Sequence, residues 1–198
     1  MLYTLHDLAS QNGISYIPGP SVTFVLNTVD RALRNPSILD LYIPSFTHHL
    51  DKPAGDHAEL HREIQNEFEK AYFDLADLDT TDESTEYGQT RKSEICGMIF
   101  ITLNRQLVIA TDEYYTVSNN QHSLILTTAL FTTILHELAH HLSLSKHFET
   151  TLPTIHGHNF YTIDERGSTP VLYGESGSYL ETRLWGGVFS IVLSDLEM

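Results

Sequence analysis

The chain is poor in cysteine, in basic residues and in long apolar runs, and each shortage removes a class of protein. Cys96 is the only cysteine among 198 residues, so no internal disulfide can form, and a reducing compartment suits the composition. Lys and Arg total 11 against 26 Asp and Glu, giving a formal net charge of −15. That balance argues against nucleic acid and against anionic membrane surfaces as partners, and its commonest meaning is a well-solvated surface. The longest apolar stretch, Ser123 to Leu135, is interrupted by threonines and is too short to span a bilayer. The first residues show no basic segment followed by an apolar run, so no secretory signal is expected, and the expected location is the cytoplasm or another intracellular compartment. No N-x-[ST] sequon, internal repeat or low-complexity block occurs. The length suits one domain covering 1–198.

What is present is a chemical motif. His136-Glu137-Leu138-Ala139-His140 is an H-E-x-x-H run. On a helix, residues four apart lie one above the other, so both imidazoles can reach one metal ion while Glu137 projects beside it. Ser123 to Leu135 enters the motif without Gly or Pro, and Leu142 and Leu144 continue it to about Ser145, which predicts one long buried helix. Ala129, Thr132 and Thr133, one and two turns before His136, are small and leave room above a metal.

Around this helix the pattern predicts an α+β fold. Val22, Val25, Leu26, Val29 and Leu33 give a first amphipathic helix over Ser21 to Leu33, closed by Asn35-Pro36. Leu60, Ile64, Phe68, Tyr72 and Leu75 give a second over Glu59 to Leu78. Asp79 to Gln89 is acidic and polar and predicts a loop. Ile95 to Leu103 and Gln106 to Ala110, rich in Ile and Val, predict two strands of a small sheet joined at Asn104-Arg105. Thr150 to Val171 predicts a long loop over the site, and Gly174 to Leu193 a last helix through Leu180, Leu184, Val188 and Ile191.

Catalytic zinc keeps three protein ligands and an open position, so two histidines require a partner. The spacing H-E-x-x-H-x-x-G-x-x-H is absent, because Ser143 and Lys146 stand where its glycine and third histidine would be. Glu181 and Glu175 are the candidates. Gly177 and Ser178 lie one turn before Glu181 and permit close packing on the metal helix, whereas Glu175 sits at a helix N-terminus where a carboxylate is also stabilising as a cap.

Gly174-Glu175-Ser176-Gly177-Ser178-Tyr179-Leu180-Glu181, taken with the H-E-x-x-H run, resembles the thermolysin-like gluzincins among the zincin metallopeptidases. The resemblance covers essentially the metal helix and the last helix. It implies a single zincin-like domain, with a small sheet packed against the H-E-x-x-H helix and a C-terminal glutamate-bearing helix, and an edge strand that holds an extended peptide. It implies one Zn2+ held by His136, His140 and Glu181, and it places a catalytic tyrosine near Tyr173. Trp185 stands where that family has the aspartate that orients a metal histidine, so the orienting group must come from elsewhere, with Asp164, Glu175 and Asp195 available.

The expected activity is therefore zinc-dependent hydrolysis of peptide or protein substrates, with Glu137 as general base and Tyr173, Tyr161, His156 or His158 as oxyanion donor. One alternative is a zincin-shaped module that binds metal without catalysis. The other is an amide hydrolase similar to peptide deformylases, with Cys96, 40 residues before His136, as a ligand. The residues around Cys96 do not match that family and favour a buried free thiol.

Overall fold

The computed structural model describes residues 4–7, 15–47, 57–78, 80–81, 84–85, 87–93, 96–116, 120–146, 161–162, 171–172 and 176–187. In chain order these form β1 (Leu5–Asp7), β2 (Ser15–Tyr16), α1 (Pro20–Ala32), α2 (Pro36–Thr47), α3 (His57–Phe68), β3 (Tyr72–Ala76) and β4 (Thr80–Thr81). Then follow β5 (Ser84–Thr85), β6 (Gly88–Lys92), β7 (Ile99–Asn104), α4 (Arg105–Thr116), α5 (Asn120–Lys146), β8 (Tyr161–Thr162), β9 (Val171–Leu172) and α6 (Ser176–Trp185). The fold is α+β. Five strands make one mixed sheet in the order β2-β1-β3-β7-β6, with β1, β3 and β7 parallel and both outer strands antiparallel to their neighbours. β4 pairs with β5, and β8 with β9, as separate two-residue ladders.

The centre of the molecule is α5. It packs on β6 and β7 and touches every other helix. A helix surrounded in this way needs apolar residues around much of its circumference, and Leu126, Leu130, Ile134, Leu135, Leu138, Ala139 and Leu142 are all buried. Leu5, Phe73, Leu75, Ile101 and Leu103 supply the sheet's contribution to the same core. α1 is tied down by Asp112 of α4, whose carboxylate accepts from the Gly19 and Val22 amides at 2.7 and 2.9 Å and from the Tyr16 hydroxyl at 3.0 Å. Burial, with Asp112 beside it, pushes the Tyr16 phenol up to about 12. No described helix is long and apolar enough to cross a membrane.

Several elements differ from the sequence expectation. The second helix ends at Phe68, and Tyr72 to Ala76 is a strand. The Phe68–Tyr72–Leu75 spacing is helical by coincidence. β3 is flanked on both sides by parallel partners, and strands buried in this way read as continuous apolar runs rather than alternating ones. The predicted second strand, Gln106 to Ala110, is part of α4. Asn104 accepts the Gln106 amide at 2.9 Å on its side-chain oxygen, which caps a helix start, and capping with burial of Leu107, Val108 and Thr111 overrides the β preference of Val-Ile. β7 pairs instead with β6, inside and beyond the expected Asp79 to Gln89 loop. α2 has no counterpart in the sequence reading. α6 stops at Trp185 because Gly186 takes a left-handed conformation, φ 79°, with its amide bonded to the Thr182 carbonyl at 3.0 Å. Val188 and Ile191 lie outside the described residues.

On β3, Asp74 faces away from Phe73 and Leu75 and is 1% exposed. Its polar neighbours are the Thr102 hydroxyl, from the paired residue of β7, and the Arg91 guanidinium 3.8 Å away, both of which favour the ionised form. Burial pushes this carboxyl above the ordinary aspartate range, so the folded state favours the acid form. The neutral isostere removes that penalty. Asp74→Asn is expected to raise the urea midpoint at pH 7, with the gain shrinking as pH falls through the raised carboxyl value toward about 4, the unfolded range. A lower midpoint at pH 7 would contradict it.

Candidate metal centre

The motif turn of α5 lies under α6. His136 and His140 sit on successive turns, and their Nε2 atoms are 3.1 Å apart. Each ring is held at its other nitrogen by α6: Glu181 Oε1 is 2.6 Å from His136 Nδ1, and Ser176 Oγ is 3.1 Å from His140 Nδ1. An ionised carboxylate only accepts, so His136 carries a proton on Nδ1 and, when neutral, a lone pair on Nε2. With Ser176 donating to His140 Nδ1, the His140 Nε2–H donates to this lone pair; with the His140 proton on Nδ1 instead, two lone pairs face each other and a cation between them would remove their repulsion. Two nitrogens sharing one tetrahedral ion at ~2.05 Å stand ~3.3 Å apart, close to the observed separation. Outer partners on both Nδ1 atoms are what metal-ligating histidines require. The pair therefore fits a divalent ion.

The approach of α6 depends on a missing side chain. A Cβ on Gly177 would overlap the His136 ring. Ser176, Gly177 and Glu181 are buried against α5, and Trp185, one turn further on, meets Phe131 edge-on at 6.5 Å.

Glu137 is 5% exposed and points toward β6. The Thr90 hydroxyl donates to Glu137 Oε2 at 2.7 Å. Gly88, two residues earlier on the same face of the strand, lies so close that a Cβ there would strike the Thr133 methyl and Glu137 Cγ. Thus the small Thr133 makes room for a strand. Gln89 and Arg91 point outward, and β6 is the outer strand of the sheet beside the motif.

The neighbouring His141 plays a different part. It is 2% exposed, its Nε2 donates to the Glu67 carbonyl of α3 at 3.1 Å, and burial pushes its imidazole below the ordinary histidine range, keeping it neutral. It is a core residue that ties α5 to α3.

Of the residues expected from sequence, His136, His140 and Glu181 are linked in a chain, Glu181 to His136 and His136 to His140, while the Glu137 carboxylate turns to Thr90 of β6. Glu181 meets His136 at Nδ1, the nitrogen not shared with His140. Tyr173, Glu175, His156, His158, Asp164 and Asp195 lie outside the described residues, and Tyr161 is described only as backbone in β8. Cys96 is exposed in the turn between β6 and β7, not buried as expected. Ser93 beside it, and the Met98 backbone, lower its thiol from the ordinary value. Sequence reasoning missed Ser176, Thr90 and Gly88. It also missed a second group, in which Asp40, His57 and His61 lie close enough together to hold a metal ion. The available signal was the spacing His57-x-x-x-His61, the same four-residue step as in the H-E-x-x-H run.

Comparison of the chain with family models, with curated proteins and with solved structures finds no match in any of the three.

Gly177→Ala tests the close approach. Overlap with the His136 ring is expected to cost about 1–3 kcal/mol of unfolding free energy, read from urea denaturation. Gly187→Ala, with nothing within 4 Å of the added methyl, is expected to stay within about 0.5 kcal/mol. Equal stability of the two variants would remove Gly177 from the account.

Proposed function

We propose that the chain is a zinc-dependent metallopeptidase of zincin type. The observation that carries this reading is the pair of Nε2 atoms at 3.1 Å with both Nδ1 atoms anchored from α6, and a buried glutamate follows the first of these histidines in the chain. Nitrogen donors favour zinc over calcium or magnesium. A purely structural zinc site has no use for Glu137 and closes with a fourth protein ligand, so the motif supports catalysis over a non-catalytic module. The exposed position of Cys96 gives no support to a deformylase-like ligand set.

In this reading His136 and His140 hold the ion through Nε2. Glu181 orients His136, taking the part left vacant by Trp185, and the third ligand falls to Glu175, the chain neighbour of Ser176 and the other carboxylate singled out by the sequence. Zinc supplies polarisation of the scissile carbonyl and acidification of water. Thr90 fixes the Glu137 carboxylate through Oε2, so that Glu137 can accept the proton of the attacking water and deliver it to the leaving amine. β6 offers main-chain groups along the edge of the sheet, beside Glu137, for pairing with an extended peptide. Tyr173 remains the proposed oxyanion donor.

Glu137→Gln is expected to leave metal content unchanged and to lower hydrolysis of denatured casein or a short-peptide library by about 100-fold or more. Turnover retained in that variant would remove Glu137 as the base. For the third ligand, Glu175→Ala is expected to strip the His136–His140 site of zinc, whereas Glu181→Gln, which can still accept from His136 Nδ1, keeps the ion with affinity lowered by about 10–100-fold. The opposite order in metal analysis would return Glu181 to the ligand set.

A further inference from the structure

The second cluster shares no residue with the site above. Asp40 lies on α2, and His57 and His61 occupy the first two turns of α3. His61 Nε2 is 2.9 Å and His57 Nδ1 3.3 Å from the same carboxylate oxygen, Asp40 Oδ1, and the three atoms lie within 4.8 Å of one another. The two rings stand edge to face, with centroids 6.2 Å apart. All three side chains are partly exposed, at 30, 35 and 14% for Asp40, His57 and His61, so water can complete a coordination shell.

We propose that Asp40, His57 and His61 form a second divalent-metal site that staples α2 to α3. Two imidazoles one turn apart, facing a carboxylate from another helix, present two nitrogens and one oxygen, a donor set that suits zinc, nickel or copper and discriminates against calcium and magnesium. Different ring nitrogens, Nδ1 of one and Nε2 of the other, turn toward a single point.

The location gives the staple a consequence. Two residues after Asp40, the buried Tyr42 donates its hydroxyl to the Leu135 carbonyl at 3.0 Å, immediately before His136. Six residues after His61, the Glu67 carbonyl receives His141, immediately after His140. Helices α2 and α3 therefore brace α5 on both sides of its motif, and an ion joining them stabilises the folded chain by mass action. The site does not depend on the hydrolase reading.

The test uses the full chain carrying His136→Ala and His140→Ala, titrated with Zn2+, Ni2+ and Mg2+ by calorimetry and thermal melting. One equivalent of Zn2+ or Ni2+ is expected to bind and to raise the melting temperature, Mg2+ is expected to do neither, and adding His61→Ala is expected to abolish both effects. Should the double variant fold poorly, the wild-type chain serves: Asp40→Ala with His61→Ala is expected to lower the bound Ni2+ by one equivalent. No binding in the double variant, or binding that survives His61→Ala, would overturn the proposal.

Discussion

The contact between Gly177 and the His136 ring sets the distance between the last helix and the central one, and the candidate centre depends on that distance. With a side chain at Gly177 the two helices would stand further apart, and neither Ser176 nor Glu181 would reach the Nδ1 atoms they engage. Those two bonds orient the rings so that Nε2 faces Nε2, the arrangement on which the proposed metal site rests. Sequence spacing alone places two imidazoles on one face of a helix; the approach of a second helix turns them into a site.

The opposite wall follows the same logic with different residues. Gly88 and Thr133 are both small, so β6 can run close over α5, and Thr90 then meets Glu137. The strand that fixes the glutamate is also the outer strand of the sheet, so Thr90, which holds Glu137, and the edge proposed for the peptide backbone belong to one element. Beneath them, Tyr42 and His141 bond α5 to α2 and α3 on the residues flanking the motif. A buried neutral imidazole next to His140 is thus part of the scaffold, although in sequence it is indistinguishable from its neighbour.

The motif helix, the first helix, the α+β class and the close packing at Gly177 were legible because each is written in local periodicity or in a run of small residues. Tyr72 to Ala76 and Gln106 to Ala110 were not. The first becomes a strand only through parallel partners far away in sequence, and the second a helix through a cap at Asn104 and burial of Leu107 and Val108. The contact made by Glu181 was hidden for a related reason: spacing shows which face a carboxylate shares, and tertiary packing decides which nitrogen it meets. Asp40 is 17 and 21 residues from its two histidines, on a different helix, and no local pattern joins them.

Anomalous scattering at the zinc edge, recorded from crystals grown with zinc, tests the central claim most directly. The account places a peak about 2.0–2.1 Å from the Nε2 atoms of both His136 and His140, with one coordination position left to water. Density showing the two rings turned apart with no peak between them, or an ion enclosed by four protein ligands, would contradict it.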